Sequence, residues 1–315
     1  MKEIGGYFEL EQITSSSFEY HQDAIRLNLG RNALVYLIRA KNIQKIYLPY
    51  FLCDSVENVC KQENVDIEKY HLKDGLKPEF ELNLSENEYL YIVNYYGMLS
   101  NQDIKHLQKK YRNIIVDNVQ AFFQKPVKGV DTIYSCRKFF GVPDGAYLYT
   151  TAKPLLLKQD VSVNRFDHLE GRKVDGAKAH YQDFLDAEAV LNKLPILSMS
   201  NETQTLLRGI NYQKIREKRN KNFQYLKEHL DHFNEIHVEK ISGPFCYPLQ
   251  LKEGQKLRKI LIENNVFVPT LWPNLKDLNQ FEINFVQNTL PLPCDQRYTI
   301  RDMKHIIKLI EEYQK

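Results

Sequence analysis

Lys138, Ser135 and Asp117 are the side chains whose types and spacing could do covalent chemistry. Lys138 follows Ser135 by three residues in "DTIYSCRKFF", just past a short β-rich run. Its amine could condense with an aldehyde, beside a serine hydroxyl able to donate to an anion. Asp117 closes "NIIVD", a run too apolar for a casual carboxylate, and Gln120 follows three residues later. Upstream, Gly30, Arg31 and Asn32 stand just before "ALVYLI", where a glycine turn opening a helix offers free N–H groups and a partial positive charge to an anion. A phosphate cradle, a buried acid and a lysine on a neighbouring strand are together what pyridoxal phosphate requires. Asp117 would keep the pyridinium proton, Lys138 would form the Schiff base, Ser135 would donate to the phosphate, and Gln120 would lie near the phenolic oxygen. Each residue alone has a plainer reading: a turn glycine, a capping aspartate, a surface lysine. Their order on successive strand ends favours the set.

These residues need a frame that brings strand ends together. The first half of the chain alternates β-rich runs (residues 45–51, 88–97, 113–120, 131–135 and 146–150) with amphipathic helical runs such as "SVENVCKQEN" and "NQDIKHLQKKYR". Alternation of this kind predicts an α/β fold, a mostly parallel mixed sheet flanked by helices, with ligands at the carboxyl ends of the strands. The texture changes near residue 205. A long helix ("QKIREKRNKNFQYLKEHL") precedes an α/β segment with "FCYPLQL" and "VFVPTLWPNL", then a closing helix at 300–313. The expected division is a large cofactor-binding domain over 1–205 and a small C-terminal domain over 206–315.

Composition narrows the function further. With 43 Lys+Arg against 40 Asp+Glu, the net charge of +3 is too small to imply nucleic acid or an anionic membrane as a partner. The first residues lack the apolar core of a signal peptide, and no run reaches membrane-spanning length, so a cytoplasmic protein is expected. Five scattered cysteines without a Cys-x-x-Cys pair favour reduced thiols over a disulfide framework or zinc site. No metal is expected: "HLDHFNEIH" follows a charged helix and reads as a solvated face.

The residues also resemble a family. "IGGYFELE" (4–11), "GRNALVYLIRA" (30–40), "VNYYGMLSNQDIKHLQKKYRNIIVDNVQAFF" (93–123), "INYQKIREKRNKNFQYL" (210–226) and "LPLPCDQRYTIRDMKHI" (290–306) are similar to segments of the DegT/StrS sugar aminotransferases, fold type I pyridoxal-phosphate enzymes. The Asp-x-x-Gln-Ala pattern stands at Asp117, Gln120 and Ala121. The resemblance implies the same roles for Lys138, Asp117, Gln120 and Ser135, with Lys138 also shuttling a proton from a shielded position. It implies glutamate as amino donor, a nucleotide-linked keto sugar as acceptor, and a homodimer with its active site at the interface. The chain departs from the family in three places. Ser-x-x-Lys is followed by "FFGVPDGA" where a Gly-Glu-Gly-Gly is usual, Cys53 stands where an aromatic would cover the ring, and "ILSMS" (196–200) replaces Asn-Tyr-Arg.

Two rival readings follow from the same residues. Ser135 and Lys138 match the Ser-x-x-Lys of penicillin-binding acyl hydrolases, but the Ser-Asp-Asn and Lys-Thr-Gly partners are absent from the chain. The departures suit a fold that binds the cofactor without turnover. Retention of Lys138, which dehydratase relatives replace with histidine, favours transamination. Trp272 reads either as a wall of the site or as packing.

Overall fold

The computed structural model describes residues 2–14, 18–79, 83–239, 241–272 and 275–315, so Pro273 and Asn274 of the "VFVPTLWPNL" segment lie outside the described residues. The chain enters with β1 (Ile4–Gly5) and β2 (Ile25–Leu27), then runs through α1 (Gly30–Lys41), β3 (Lys45–Pro49), α2 (Asp54–Gln62), β4 (Asp66–Lys73), β5 (Lys77–Glu79) and β6 (Glu88–Val93). It continues with α3 (Asn101–Tyr111), β7 (Ile114–Asp117), β8 (Asp131–Ser135) and β9 (Ala146–Tyr149), followed by α4 (Asp167–Asp175), α5 (Tyr181–Leu191) and α6 (Asn201–Arg208). The rest comprises α7 (Tyr212–Leu230), β10 (Tyr247–Gln250), α8 (Gly254–Glu263), β11 (Val266–Phe267), α9 (Gln280–Asn288), β12 (Thr289–Leu292) and α10 (Ile300–Tyr313).

Eight strands form one sheet in the order β2-β9-β8-β7-β6-β3-β4-β5. Pairings from β4 through β3, β6 and β7 to β8 are parallel, and antiparallel strands close both edges. Central strands buried on both faces read as continuous apolar runs, as in "IIVD" and "YLYIV". This is the mixed, mostly parallel sheet expected from the alternation; β8 matches its expected run, and β3, β6, β7 and β9 are a little shorter than theirs. The 113–120 run stops at Asp117 because Asn118–Ala121 turns back on itself through the Ala121 N–H bond to the Asn118 carbonyl. The 88–97 run stops at Val93, after which Tyr96 takes a positive φ of 55°.

The second unit has a core of its own. Leu226, Leu230, Leu249, Leu257, Met303 and Ile306 are buried between α7, α8, α10 and the antiparallel pair β10–β12. Ile4 belongs to this core because β1 pairs in parallel with β11, so the first residues of the chain cross to join the last third. Strand β11 holds only two residues, and Pro269 soon after it cannot donate to a ladder.

The two units are pinned together by Arg219, which is fully buried on α7. Its guanidinium donates to the Pro244 carbonyl at 2.8 Å, the Phe139 carbonyl at 3.1 Å and Gln296 Oε1 at 2.8 Å. It also lies 4.5 Å from the centre of the Phe139 ring. Phe139 is the residue after Lys138, so this bond network holds the lysine turn against the second unit.

Candidate active site

Strand β8 ends at Ser135 and passes directly into a single 3-10 turn, Cys136–Lys138. One side of that turn is anchored in the core. Cys136, Phe139 and Phe140 are buried, and the Phe139 and Phe140 N–H groups both donate to the Cys136 carbonyl. Burying two phenylalanines contributes about 1.5–3 kcal/mol each. The other side presents Arg137 and Lys138 to a cavity of about 830 Å³.

Two glycines in "FFGVPDGA" make this turn possible. A Cβ on Gly141 would stand 1.6 Å from the Glu9 carbonyl oxygen, so only glycine lets the N-terminal segment cross here, where the Glu11 N–H donates to the Gly141 carbonyl. Gly145 has a φ of +117° and sits against the Cys136 sulfur, with its carbonyl accepting from the Cys136 N–H. The unusual sequence after Lys138 is therefore the packing of the turn itself.

Register places the other predicted residues around it. Ser135 pairs with Ala146 on β9, and Ala146 pairs with Leu27 on β2, three residues before Gly30. A Cβ on Gly30 would be 3.8 Å from the Ser135 Cβ and 3.7 Å from the Val119 side chain. The opening of α1 thus abuts both Ser135 and the turn that follows Asp117. Helices α3, α6, α7 and α9 are capped by side chains of Ser100, Ser200, Asn211 and Asn279. The N-cap of α1 is Leu29, which supplies no such bond, and its first turn holds no acid. Its first N–H groups suit an external anion.

Asp117 is buried, and it does not line the cavity, nor do Gly30, Arg31, Asn32 or Gln120, whereas Ser135 does. Its carboxylate accepts from the Tyr91 hydroxyl at 2.7 Å and from the Val119 N–H at 2.9 Å. Burial pushes the Asp117 carboxyl above its ordinary value, against those two bonds and the charge of Lys138. A buried acid held by neutral donors is well suited to a cationic ring nitrogen.

Other predicted residues are placed differently. Lys138 is exposed in the single chain, not shielded, and among the described residues none accepts a hydrogen bond from its Nζ. The reason is local: its turn buries Cys136 and Phe139 and leaves the third residue on the cavity rim. Gln120 is buried, with its Oε1 accepting from the Tyr96 N–H at 2.7 Å, so that oxygen braces the positive-φ turn after β6. Asn32 turns its amide to Asn28 Oδ1 and the Pro195 carbonyl, leaving only its backbone for the cradle. Arg31 donates to Asn192 Oδ1. Cys53 is half-buried at the start of α2, with its sulfur 3.2 Å from the Ser55 hydroxyl. The aromatics just before it are committed elsewhere, Tyr50 stacking on His71 and Phe51 on Tyr95. Trp272 packs edge-on against Phe51, which makes it part of the core boundary. In "ILSMS", Ser200 caps α6 and donates to Asp144 at 2.6 Å. Among the described residues no group of His, Cys, Asp and Glu is placed to hold a metal.

No protein-family model matches the chain, and no curated protein matches it in sequence. Solved structures do. A protein from Streptococcus pneumoniae assigned as a sugar aminotransferase, in its PMP form, superposes with a TM-score of 0.66 at 12% identity over 100% of both chains. A DegT DnrJ EryC1 StrS aminotransferase from Brucella abortus gives 0.61 at 13% identity, over 92% of this chain and 85% of that one. The sugar aminotransferase CalS13 from Micromonospora echinospora gives 0.63 at 11% identity, over 92% and 87%. This chain has the fold type I architecture of these aminotransferases.

Within that fold type I frame, the cavity contains functional groups that sequence reasoning passed over. Arg137 lines it beside Lys138 and forms an ion pair with Glu188 of α5, which lines it too. On the N-terminal side, Tyr7 stacks on Phe184 of α5 with ring centres 4.6 Å apart. Adjacency to Lys138 was the available signal for Arg137. Glu188 stands 51 residues after Arg137, and Tyr91 gave no polar signal inside an apolar strand.

Proposed function

We propose that this chain is a pyridoxal-phosphate-dependent aminotransferase that passes an amino group from glutamate to a nucleotide-linked keto sugar, acting as a homodimer in the cytoplasm. The reading takes residues 1–205 as the cofactor-binding domain and 206–315 as the smaller one. What carries it is the convergence of three strand ends: Lys138 on the cavity rim, the buried Asp117, and the uncapped opening of α1 against Ser135.

The donor set fits the cofactor. The backbone of Gly30, Arg31 and Asn32 and the Ser135 hydroxyl would hold the phosphate, and Asp117 would hold the ring nitrogen. Gln120 would bear on the ring through the Tyr96 turn that it braces. When bound, the cofactor supplies a covalent site for an amine and an electron sink for the carbon next to it. Lys138 Nζ would take the proton from the donor's Cα in the first half-reaction, and in the return half-reaction it would supply one to the acceptor carbon that receives the amine. Asp117 would be the ionised partner of the ring nitrogen, with Tyr91 and Val119 fixing its orientation. Lys178 also lines the cavity and offers charge to a dicarboxylate or a diphosphate, whereas the Arg297 guanidinium there is taken up by Asp295 and Glu9. Neighbours of the fold include sugar aminotransferases in PLP and PMP forms, which supports the substrate class.

Support for a dimer comes from apolar exposure. Leu156, Val161, Val163, Val174, Tyr181 and Val190 each expose about half or more of their surface on one stretch of chain. Light scattering of the purified protein should give twice the chain mass; a monomer at micromolar concentration would refute that part. Free thiols at all five cysteines suit a reducing compartment. Among the described residues no helix is long and apolar enough to cross a membrane.

The test is visible absorbance of protein supplied with pyridoxal phosphate, wild type beside Lys138→Ala, before and after glutamate. A band that needs Lys138 and bleaches with glutamate supports the proposal. A band unchanged by every amino donor would favour the second reading, a binding protein without turnover, which Cys53 and the tethered 196–200 segment motivate.

A further inference from the structure

The cationic end of the cavity holds more charge than its own carboxylate can neutralise. Arg31, Arg137 and Lys138 gather near Glu188, and all three act on its charge. Burial alone would raise the Glu188 carboxyl; the charge and hydrogen bond of Arg137, with Arg31 and Lys138 behind it, bring it below its ordinary value. Glu188 on α5 and Asn192, the residue that closes it, are one helical turn apart and face the same way. The first takes Arg137 and the second takes Arg31, so the end of α5 lies across the opening turn of α1.

Arg137 is only partly used. One terminal nitrogen meets Glu188, while its Nε is buried and has no hydrogen-bond partner. A guanidinium edge of Nε and a terminal nitrogen is built to grip two oxygens of one anion. Glu188 approaches one end of that edge. A phosphate, with three oxygens and close to two negative charges, could take both ends and match the excess of positive charge.

We propose that Arg137 is a phosphate-binding cation of this site, and that Glu188 is its internal counter-ion, holding the guanidinium until a phosphate dianion takes the place of the carboxylate. The proposal rests on the cofactor reading for the identity of the phosphate, but its chemistry requires only a phosphate group. Glu188 thereby keeps Arg137 aimed into the cavity in the free protein.

The experiment is calorimetric titration of the full-length, cofactor-stripped protein with inorganic phosphate, pyridoxal phosphate and pyridoxal. Arg137→Gln should weaken both phosphate ligands about tenfold, the loss expected for one charge-assisted contact, and leave pyridoxal unchanged. Glu188→Gln, which keeps the shape and removes the competing charge, should tighten both phosphate ligands several-fold. An unchanged affinity in Arg137→Gln overturns the first half. A Glu188→Gln variant that binds phosphate as weakly as Arg137→Gln overturns the second, because Glu188 would then only be positioning the arginine. In the wild type, where folding is not in question, the Arg137 Nε–H signal in an arginine-labelled spectrum should shift on adding phosphate; no shift refutes the contact. If inorganic phosphate behaves as expected while pyridoxal phosphate shows no Lys138-dependent absorbance, the cofactor reading fails and the phosphate site stands.

Discussion

Replacing Arg219 should loosen the lysine turn and destabilise the chain at once. The side chain is 0% exposed, and its three bonds end on Pro244, Phe139 and Gln296. In Arg219→Met, the Phe139 carbonyl keeps a donor, because Gln296 Nε2 already reaches it at 2.7 Å. The Pro244 carbonyl and the part-buried Gln296 Oε1 lose the donors that Arg219 supplied. One orphaned carbonyl costs about 1–3 kcal/mol, and the lost charge-assisted bonds add to it, while the guanidinium no longer has to be desolvated. The net loss should be about 2–4 kcal/mol, measured by urea unfolding of the full chain. Gln296→Leu takes the acceptor from Arg219 Nε but keeps the bonds to Pro244 and Phe139, and should cost less. An Arg219→Met protein within about 0.5 kcal/mol of wild type would refute this account. Under the proposed function, the same variant should lower kcat more than it weakens cofactor binding, because Phe139 adjoins Lys138 and not the α1 cradle.

Under the proposed function, Asp117→Asn should abolish cofactor-dependent activity, and it should stabilise the cofactor-free chain at neutral pH. Burial raises the Asp117 carboxyl in the folded state, so ionising it costs stability as pH rises past the unfolded value, and the advantage of the amide should vanish below about pH 4; a variant less stable than wild type at pH 7 in a melt of the apoprotein would contradict this. His21 is pushed down to about 3 by burial, beside its bond to the Phe122 carbonyl at 2.9 Å. The folded state therefore resists a proton that the unfolded chain accepts below about 6.5, and stability should fall as pH drops from there towards 3. His168, held down to about 4, adds to the same slope. His21→Asn, which can still donate to Phe122, should flatten it in a series of melts, and an unchanged slope would show that His21 does not couple to folding.

What could be read from the sequence was what local chemistry writes into neighbouring residues. Apolar runs marked the central strands because parallel strands are covered on both faces, and Asp117, Ser135 and Lys138 stood out by ending them. Strand β4, with its polar "DIEKYHLK", was not legible: much of its surface faces solvent, so it lacks an apolar run. Helix α5 was passed over for a related reason, since most of its residues are exposed or half-buried and their pattern is weak. The pairing of β1 with β11 joins residues 4 and 266, a contact no local pattern encodes.

The same distinction separates the parts of the candidate site. Lys138 and Asp117 hold positions fixed by strands that are adjacent in the sheet and close in sequence, so their relation survives in the spacing. Arg137 takes its meaning from Glu188, and Arg219 from Phe139, Pro244 and Gln296, partners 20 to 80 residues away that meet only after the units have packed. Charge is what makes those distant partners necessary. A buried guanidinium must find acceptors wherever the fold supplies them, because the cost of leaving it without any exceeds that of a strained loop or an irregular helix. Cations at such places are therefore where the lysine turn, the phosphate cradle and the second unit are tied to one another. Substitutions at Arg137 and Arg219 should reach the chemistry through these ties, the first through the phosphate end and the second through the turn that carries Lys138.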